Sequence, residues 1–396
     1  MSATHPQRYV QLRSTARTSR LNRNGAVLGL TLILLVAMVA FVALALDLGY
    51  LTVARTELQR TADSAAMAAA WELVDSSALS GDPYMSDKTA AARARAVEYA
   101  GFNDVISHSL VLDPNSGNDV DGDVVIGQIP DFNGSMSFTD PALYNVVHIR
   151  ARRDATRNGE VPLFFARILG FDSYGVHAEA RAGVIKQIGG FKIPSDGSNQ
   201  GILPFALDED TWETILNGTA DDQWTWDAET ETISNGGDGV LEVNLFPQGT
   251  GSPGNRGTVD IGSPANSTQV IARQILEGVT PEDLDFHGGS LEFDANGELF
   301  LNGDTGISAG VKDELHSIRG EPRVIPVYRE VNGPGNNATY TIVKWVGVRI
   351  MEVKLSGSQT NKRVIIQPAN VVLNGVVPTT ATETSYFIYS PPVLIE

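Results

Sequence analysis

Residues 25–46 read GAVLGLTLILLVAMVAFVALAL, from Gly25 to Leu46, and the rest of the chain is arranged around them. The 22 residues carry no charge, and Asp47 closes the run. At about 1.5 Å of rise per residue they would form a helix roughly 33 Å long, enough to cross the hydrocarbon core of a bilayer. Buried helices of soluble domains are seldom so long and so uniformly apolar, so a membrane span is expected.

The flanks set its direction. Arg8, Arg13, Arg17, Arg20 and Arg23 precede it, and residues 1–24 hold no acidic residue. Beyond it, Asp47, Glu57 and Asp63 mix with Arg55 and Arg60. An arginine excess keeps its own side in the cytoplasm. Residues 1–24 then form a basic cytoplasmic tail able to touch anionic headgroups. The rest of the chain lies across the inner (cytoplasmic) membrane, in the periplasm or outside. The competing reading is a secretory signal peptide, because Ala43-Leu44-Ala45 fits a small-x-small cleavage site. The apolar run exceeds a usual signal core and the helical pattern continues past it, which favours an uncleaved span.

Composition agrees with export. There is no cysteine, so disulfide frameworks and thiolate metal sites are excluded. Five of the 29 Lys and Arg residues lie in the tail, leaving 24 against 47 Asp and Glu, a net −23 from Gly25 onward. So acidic a surface repels phosphate backbones, which argues against nucleic-acid binding.

After Asp47 the helix is expected to run on to about Val74. Leu48, Leu51, Leu58, Ala62, Ala65, Ala69 and Leu73 recur at helical spacing. The face of Leu58, Ala62, Ala65, Ala69 and Leu73 is mostly alanine. It lets a neighbouring helix or sheet approach closely, either a partner's or the chain's own. A loop over Asp75–Ser86 leads to a second helix, capped by Ser86 or Asp87 and ended by Gly101. Strands are expected at Ser109–Leu112, Asp123–Ile129, Asn145–Arg153 and Tyr174–Ile185. In VVHIRARR, Val147, Ile149 and Ala151 face inward while His148, Arg150 and Arg152 face outward. Pro162–Leu169, PLFFARIL, reads as a helical turn plugging this sheet. Residues 47–189 thus predict an α+β domain with a long helix packed on an antiparallel sheet.

These residues carry a resemblance. Arg23 before Gly25-Ala26, the span, Asp47 with Gly49, Leu58-Gln59 and then Ala62-Asp63 with Ala65-Ala66 resemble TadG-like proteins of the tight-adherence (Flp-type) pilus assembly system. The order of Asn145–Arg153 and Pro162–Arg167 extends it, over about residues 20–190. The resemblance implies a pilus-assembly role and protein partners in the cell envelope. Leu30 stands where prepilins carry glutamate, which argues against prepilin processing at Gly25. The Asp-x-Ser-x-Ser metal motif of some relatives is absent, and Asp75-Ser76-Ser77 lacks its spacing.

From Gly189-Gly190 the composition turns to Gly, Asn, Asp and Thr, and residues 190–396 read as a mostly β domain. A sandwich is one layout for it. Strands are expected at Leu241–Phe246, Gly257–Ile261, Ser290–Phe293, Val324–Tyr328, Tyr340–Leu355, Arg363–Ile366 and Ser385–Tyr389. Helices are expected at Thr268–Glu277 and Val311–Ile318, and turns at Asn302-Gly303, Gly333-Pro334 and Ser356-Gly357.

Candidate chemistry is sparse. Asp304-Thr305-Gly306 echoes aspartic proteases, but a single copy after Asn302-Gly303 reads as a hairpin turn. Asp119, Asp121 and Asp123 concentrate oxygen ligands and make a candidate structural calcium loop, without EF-hand spacing. Asp294-Ala295-Asn296-Gly297 reads as a turn. Trp224 and Trp226 share a strand face, suited to core packing or to stacking on a sugar. The histidines His5, His108, His148, His177, His287 and His316 show no metal-ligand spacing. No Gly-x-Ser-x-Gly elbow, Ser-x-x-Lys pair or phosphate loop is expected. The chain therefore predicts no catalytic residue and no cofactor. It reads as a single-pass component of a pilus-assembly or surface-attachment apparatus, with the bilayer and envelope proteins as partners. The alternatives are a secreted surface adhesin released after Ala45 and an exported hydrolase.

Overall fold

The computed structural model describes residues 23–74, 85–245, 257–262, 267–305, 309–333, 338–357 and 362–395. The tail arginines Arg8 to Arg20, His5, the loop from Asp75 to residue 84, and Phe246, Gly306 and Pro334 lie outside the described residues.

Helix α1, Arg23–Trp71, is continuous through Asp47. Its surface from Val27 to Leu46 is exposed almost throughout, whereas from Leu51 onward one face is buried. Helix α2, Met85–Gly101, begins just ahead of the expected cap and ends at the expected glycine. Three strands follow: β1 (Val124–Gly127), β2 (Val146–Arg153) and β3 (Val176–Gly183), all antiparallel. The expected strand at Ser109–Leu112 shrinks to a two-residue pairing at His108–Ser109, although Leu110 and Leu112 are buried.

Small side chains bring α1 down onto this sheet. Registers Val147↔Ala182, Ile149↔Ala180 and Ala151↔Ala178 put alanines opposite two branched residues and one alanine of β2. All six belong to one core with Ala62, Ala65, Ala66 and Ala69 of α1 and Ala92, Ala96 and Ala100 of α2. Alanine meeting alanine leaves room for backbones to approach, and interiors tolerate few voids. His148 lies on the opposite face and is still buried, its Nε2 3.1 Å from Glu179 Oε2.

In sequence, the buried cluster built on α1 ends at Val184, and Ile188 belongs to a different one. Gly190 sits inside the strand Ile188–Lys192. The second region is organised by β4 (Phe205–Asp208), β5 (Gly257–Val259), β6 (Leu299–Thr305), β7 (Pro322–Asn332), β8 (Ala338–Lys354) and β9 (Arg363–Pro368). β8 pairs with β6, β6 with β5, β5 with β4, β4 with β7, and β7 returns to β8. This closes a ring rather than a sandwich, with β4–β7 the parallel pair.

Alternation sends the two faces of the ring into two cores. Ala206, Val259, Leu301, Tyr328 and Tyr340 share one. Phe205, Leu207, Ile325 and Val327 share the other with Trp212 of α3 (Glu209–Leu216) and Ile271 and Ile275 of α4 (Thr268–Glu277). α3 is absent from the sequence reading, although Asp208 caps it by accepting the Thr211 N–H at 2.9 Å.

Asn302-Gly303 and Asp304-Thr305 are not a hairpin turn. They lie in β6, with Asn302 opposite Thr339 and Gly303 opposite Ala338. A Cβ on Gly303 would sit 2.3 Å from the Thr258 carbonyl oxygen, so glycine admits a neighbouring backbone there. Asp294–Gly297 does form the expected turn, with the Asn296 N–H donating to Asp294 Oδ1 at 2.8 Å.

One connection ties the regions together. Strand β10, Val393–Ile395, returns to β3 and extends the first sheet to the order β10-β3-β2-β1.

Candidate membrane-proximal interaction site

Asp47 is the first residue after the exposed apolar run, and it is buried. Its Oδ1 accepts the Phe164 N–H at 2.8 Å, and its Oδ2 accepts the N–H groups of Phe165 at 3.0 Å and Ala166 at 2.7 Å. These open the 3-10 turn Ala166–Leu169, whose preceding residue Phe165 supplies no side-chain cap. Asp47 therefore caps, from 117 residues away, a turn that lacks its own capping side chain. Burial opposes ionisation. The Ala166, Phe164 and Phe165 N–H groups outweigh it and hold the Asp47 carboxyl below its ordinary value.

The turn does not plug the sheet. Leu163 is buried, but Phe164, Phe165, Ile168, Leu169 and Phe171 are exposed. Phe164 rests edge-on against Tyr50 of α1, with ring centroids 5.0 Å apart. Gly170 closes the turn at φ 89°, the left-handed conformation glycine adopts without strain. The signal for Asp47 was its position as a charge ending an apolar run. Nothing local announced its distant backbone partners.

Leu58, Ala62, Ala65, Ala69 and Leu73 are all buried against the chain's own sheet and α2, which leaves none of them exposed for a partner. Gln59, beside them, donates from Nε2 to the Glu179 carbonyl at 2.8 Å.

Asp119, Asp121 and Asp123 do not converge. Asp119 and Asp121 are exposed, while Asp123 is fully buried and paired with Arg152 and, at 3.2 Å, with Arg157. Asn115 and Asn118, at φ 51° and 53°, shape the loop. Their amides donate to Asp119, Val124 and Ile126 carbonyls. Arg93 of α2, itself buried, donates to the carbonyls of Pro114 and Val124 and to Asn118 Oδ1.

Among the described residues, carboxylates close enough to share a cation are Asp222, Asp238 and Glu242. They already serve the chain. Asp222 accepts from the Asp238 and Gly239 N–H groups, and Asp238 from Trp226 and Val240. Glu242 accepts the Gln223 N–H at 2.7 Å. Burial, with Asp222 and Asp238 nearby, pushes Glu242 up to about 7. Trp224 and Trp226 lie in the hairpin Trp224–Asp227/Thr232–Asn235, and the Arg349 guanidinium covers the Trp226 ring at 4.5 Å.

Gly306-Ile307-Ser308-Ala309-Gly310 does fit Gly-x-Ser-x-Gly. Residues 306–308 lie outside the described residues, and the preceding β6 is antiparallel to both its neighbours, unlike the parallel sheet of an α/β-hydrolase elbow.

Comparison with known proteins matches residues 25–72 to a family described as Flp pilus-assembly TadE/G-like. Residues 68–182 match one described as Tad-like Flp pilus-assembly. Over these residues the chain is Tad-like. The Tad-like region takes in α1 from Gly25, α2 and strands β1 to β3 up to Ala182. Asp47 and the turn it caps both lie inside it. The ring of β4 to β9 lies outside it. The chain matches no curated protein and no solved structure.

Proposed function

We propose that this pilus-assembly-related protein is a single-pass component of the inner membrane, with its N-terminus in the cytoplasm. It acts through protein contacts rather than catalysis. The observation that carries the reading is α1: one unbroken helix, apolar and exposed from Val27 to Leu46, then built into the core of a folded domain. By length and composition its first part suits a bilayer. The arginine-rich, acid-free flank favours the N-in orientation. The β-rich region then presents an acidic surface to envelope proteins.

Membranes from cells expressing the full chain would be washed in carbonate and the mature N-terminus sequenced. An intact tail in the resistant pellet is expected. A soluble protein beginning at Leu46 would overturn the anchor in favour of a secreted adhesin, and a new N-terminus beside Gly25 would replace it with prepilin processing. Labelling of Ser308 by a fluorophosphonate would overturn the non-enzymatic reading.

A further inference from the structure

The Asp47 hydrogen bonds place the 163–171 turn beside the last residue of the apolar run. Five of its side chains face outward: Phe164, Phe165, Ile168, Leu169 and Phe171 are 59, 41, 84, 77 and 64 % exposed. Elsewhere in this domain Phe102 is exposed beside Tyr99, a pair of rings 5.6 Å apart, against five exposed apolar side chains in this one turn. A contiguous patch of this kind marks a surface that meets something.

We propose that this turn rests in the headgroup region of the same bilayer that holds α1, giving the domain a second, shallow attachment. The proposal builds on the anchored reading above. Its support is continuity: the patch and the exposed face of α1 meet at one carboxylate, one residue beyond Leu46. Apolar and aromatic groups settle about 5–10 Å into that interface. Tyr50 against Phe164 brings a further aromatic ring to the same level, as in the belts that border spans. Arg167, 63 % exposed among these side chains, is paired at 3.4 Å with the exposed Asp172, so the turn brings no net charge to that level and the apolar groups carry the attachment. Capping by Asp47 and the Gly170 bend hold the turn in shape without the membrane. Two attachments would fix the domain's tilt, where a lone helix would leave it free to swivel.

The chain has no cysteine, so Ile168→Cys carries one environment-sensitive fluorophore on the full-length protein. It would be reconstituted in phosphatidylethanolamine–phosphatidylglycerol vesicles with and without nitroxide-labelled acyl chains. Val36→Cys in the apolar run and Asp121→Cys in the exposed loop serve as references. A blue shift and a nitroxide-dependent loss of emission are expected at 168 and at 36, and neither at 121. If 168 behaves like 121 while 36 is quenched, the turn stands in water and the proposal falls with the anchor intact. If 36 is not quenched, the anchor falls and this proposal with it. Emission at 168 that is blue-shifted yet blind to nitroxide means that a second copy or another protein covers the turn, which also overturns the lipid assignment.

Discussion

Asp47 and Glu242 are two buried carboxylates that push in opposite directions. Asp47 has its pKa lowered in the fold, so its contribution is present above the ordinary aspartate value. That contribution disappears as pH falls through the lower folded-state value. Asp47→Ala should leave the Phe164, Phe165 and Ala166 amides without an acceptor. Amide hydrogen exchange there should quicken while exchange in β2 stays slow. Glu242 is raised from 4.5 to about 7, so the folded form holds its proton more tightly than the unfolded chain. Stability should therefore be greatest below 4.5 and fall as pH rises towards about 7. Denaturant unfolding across that window should show the slope, and Glu242→Gln should flatten it. The sequence exposed Asp47 as a charge ending an apolar run. Glu242 carried no such signal, because its burial depends on a hairpin and on Gln367 from a distant strand.

At the scale of elements, helix and strand periodicity carried most of the first domain. α1 and α2 end within a few residues of their expected limits, and α4 matches its expected span. Val147, Ile149 and Ala151 face the core as alternation required. Errors came where tertiary contact overrides local chemistry. Asn302-Gly303 has a turn's residues but answers to the Thr258 backbone beside it. PLFFARIL has the apolar content of a plug, but Asp47 holds its backbone against α1 while Phe164, Phe165, Ile168 and Leu169 stay exposed. The close fit of α1 predicts that Ala65→Leu costs about 1–3 kcal/mol through overpacking, read as a lower denaturation midpoint. In the 113–123 loop, Asp123→Ala would strip Arg152 and Arg157 of a shared buried carboxylate. The cost should be roughly 3 kcal/mol, measured the same way.

Across the whole molecule, the sequence divided the chain at Gly189-Gly190 but gave no hint of β10, because a three-residue strand has no periodicity to read. Registers Val393↔Gly183, Leu394↔Ala182 and Ile395↔Arg181 make it the outer neighbour of β3. Ending the chain at Pro391 should bare that edge. Faster proteolysis and hydrogen exchange in Val176–Gly183 are expected, with the β4–β9 ring unchanged. The arrangement has a bearing on biogenesis. A ribosome makes β10 after every other element described here, so the sheet resting on α1 cannot reach its full width until the ring has been synthesised. Any chain cut short inside the ring would keep β3 as an open strand edge, a template for aggregation and a mark that quality-control proteases can read.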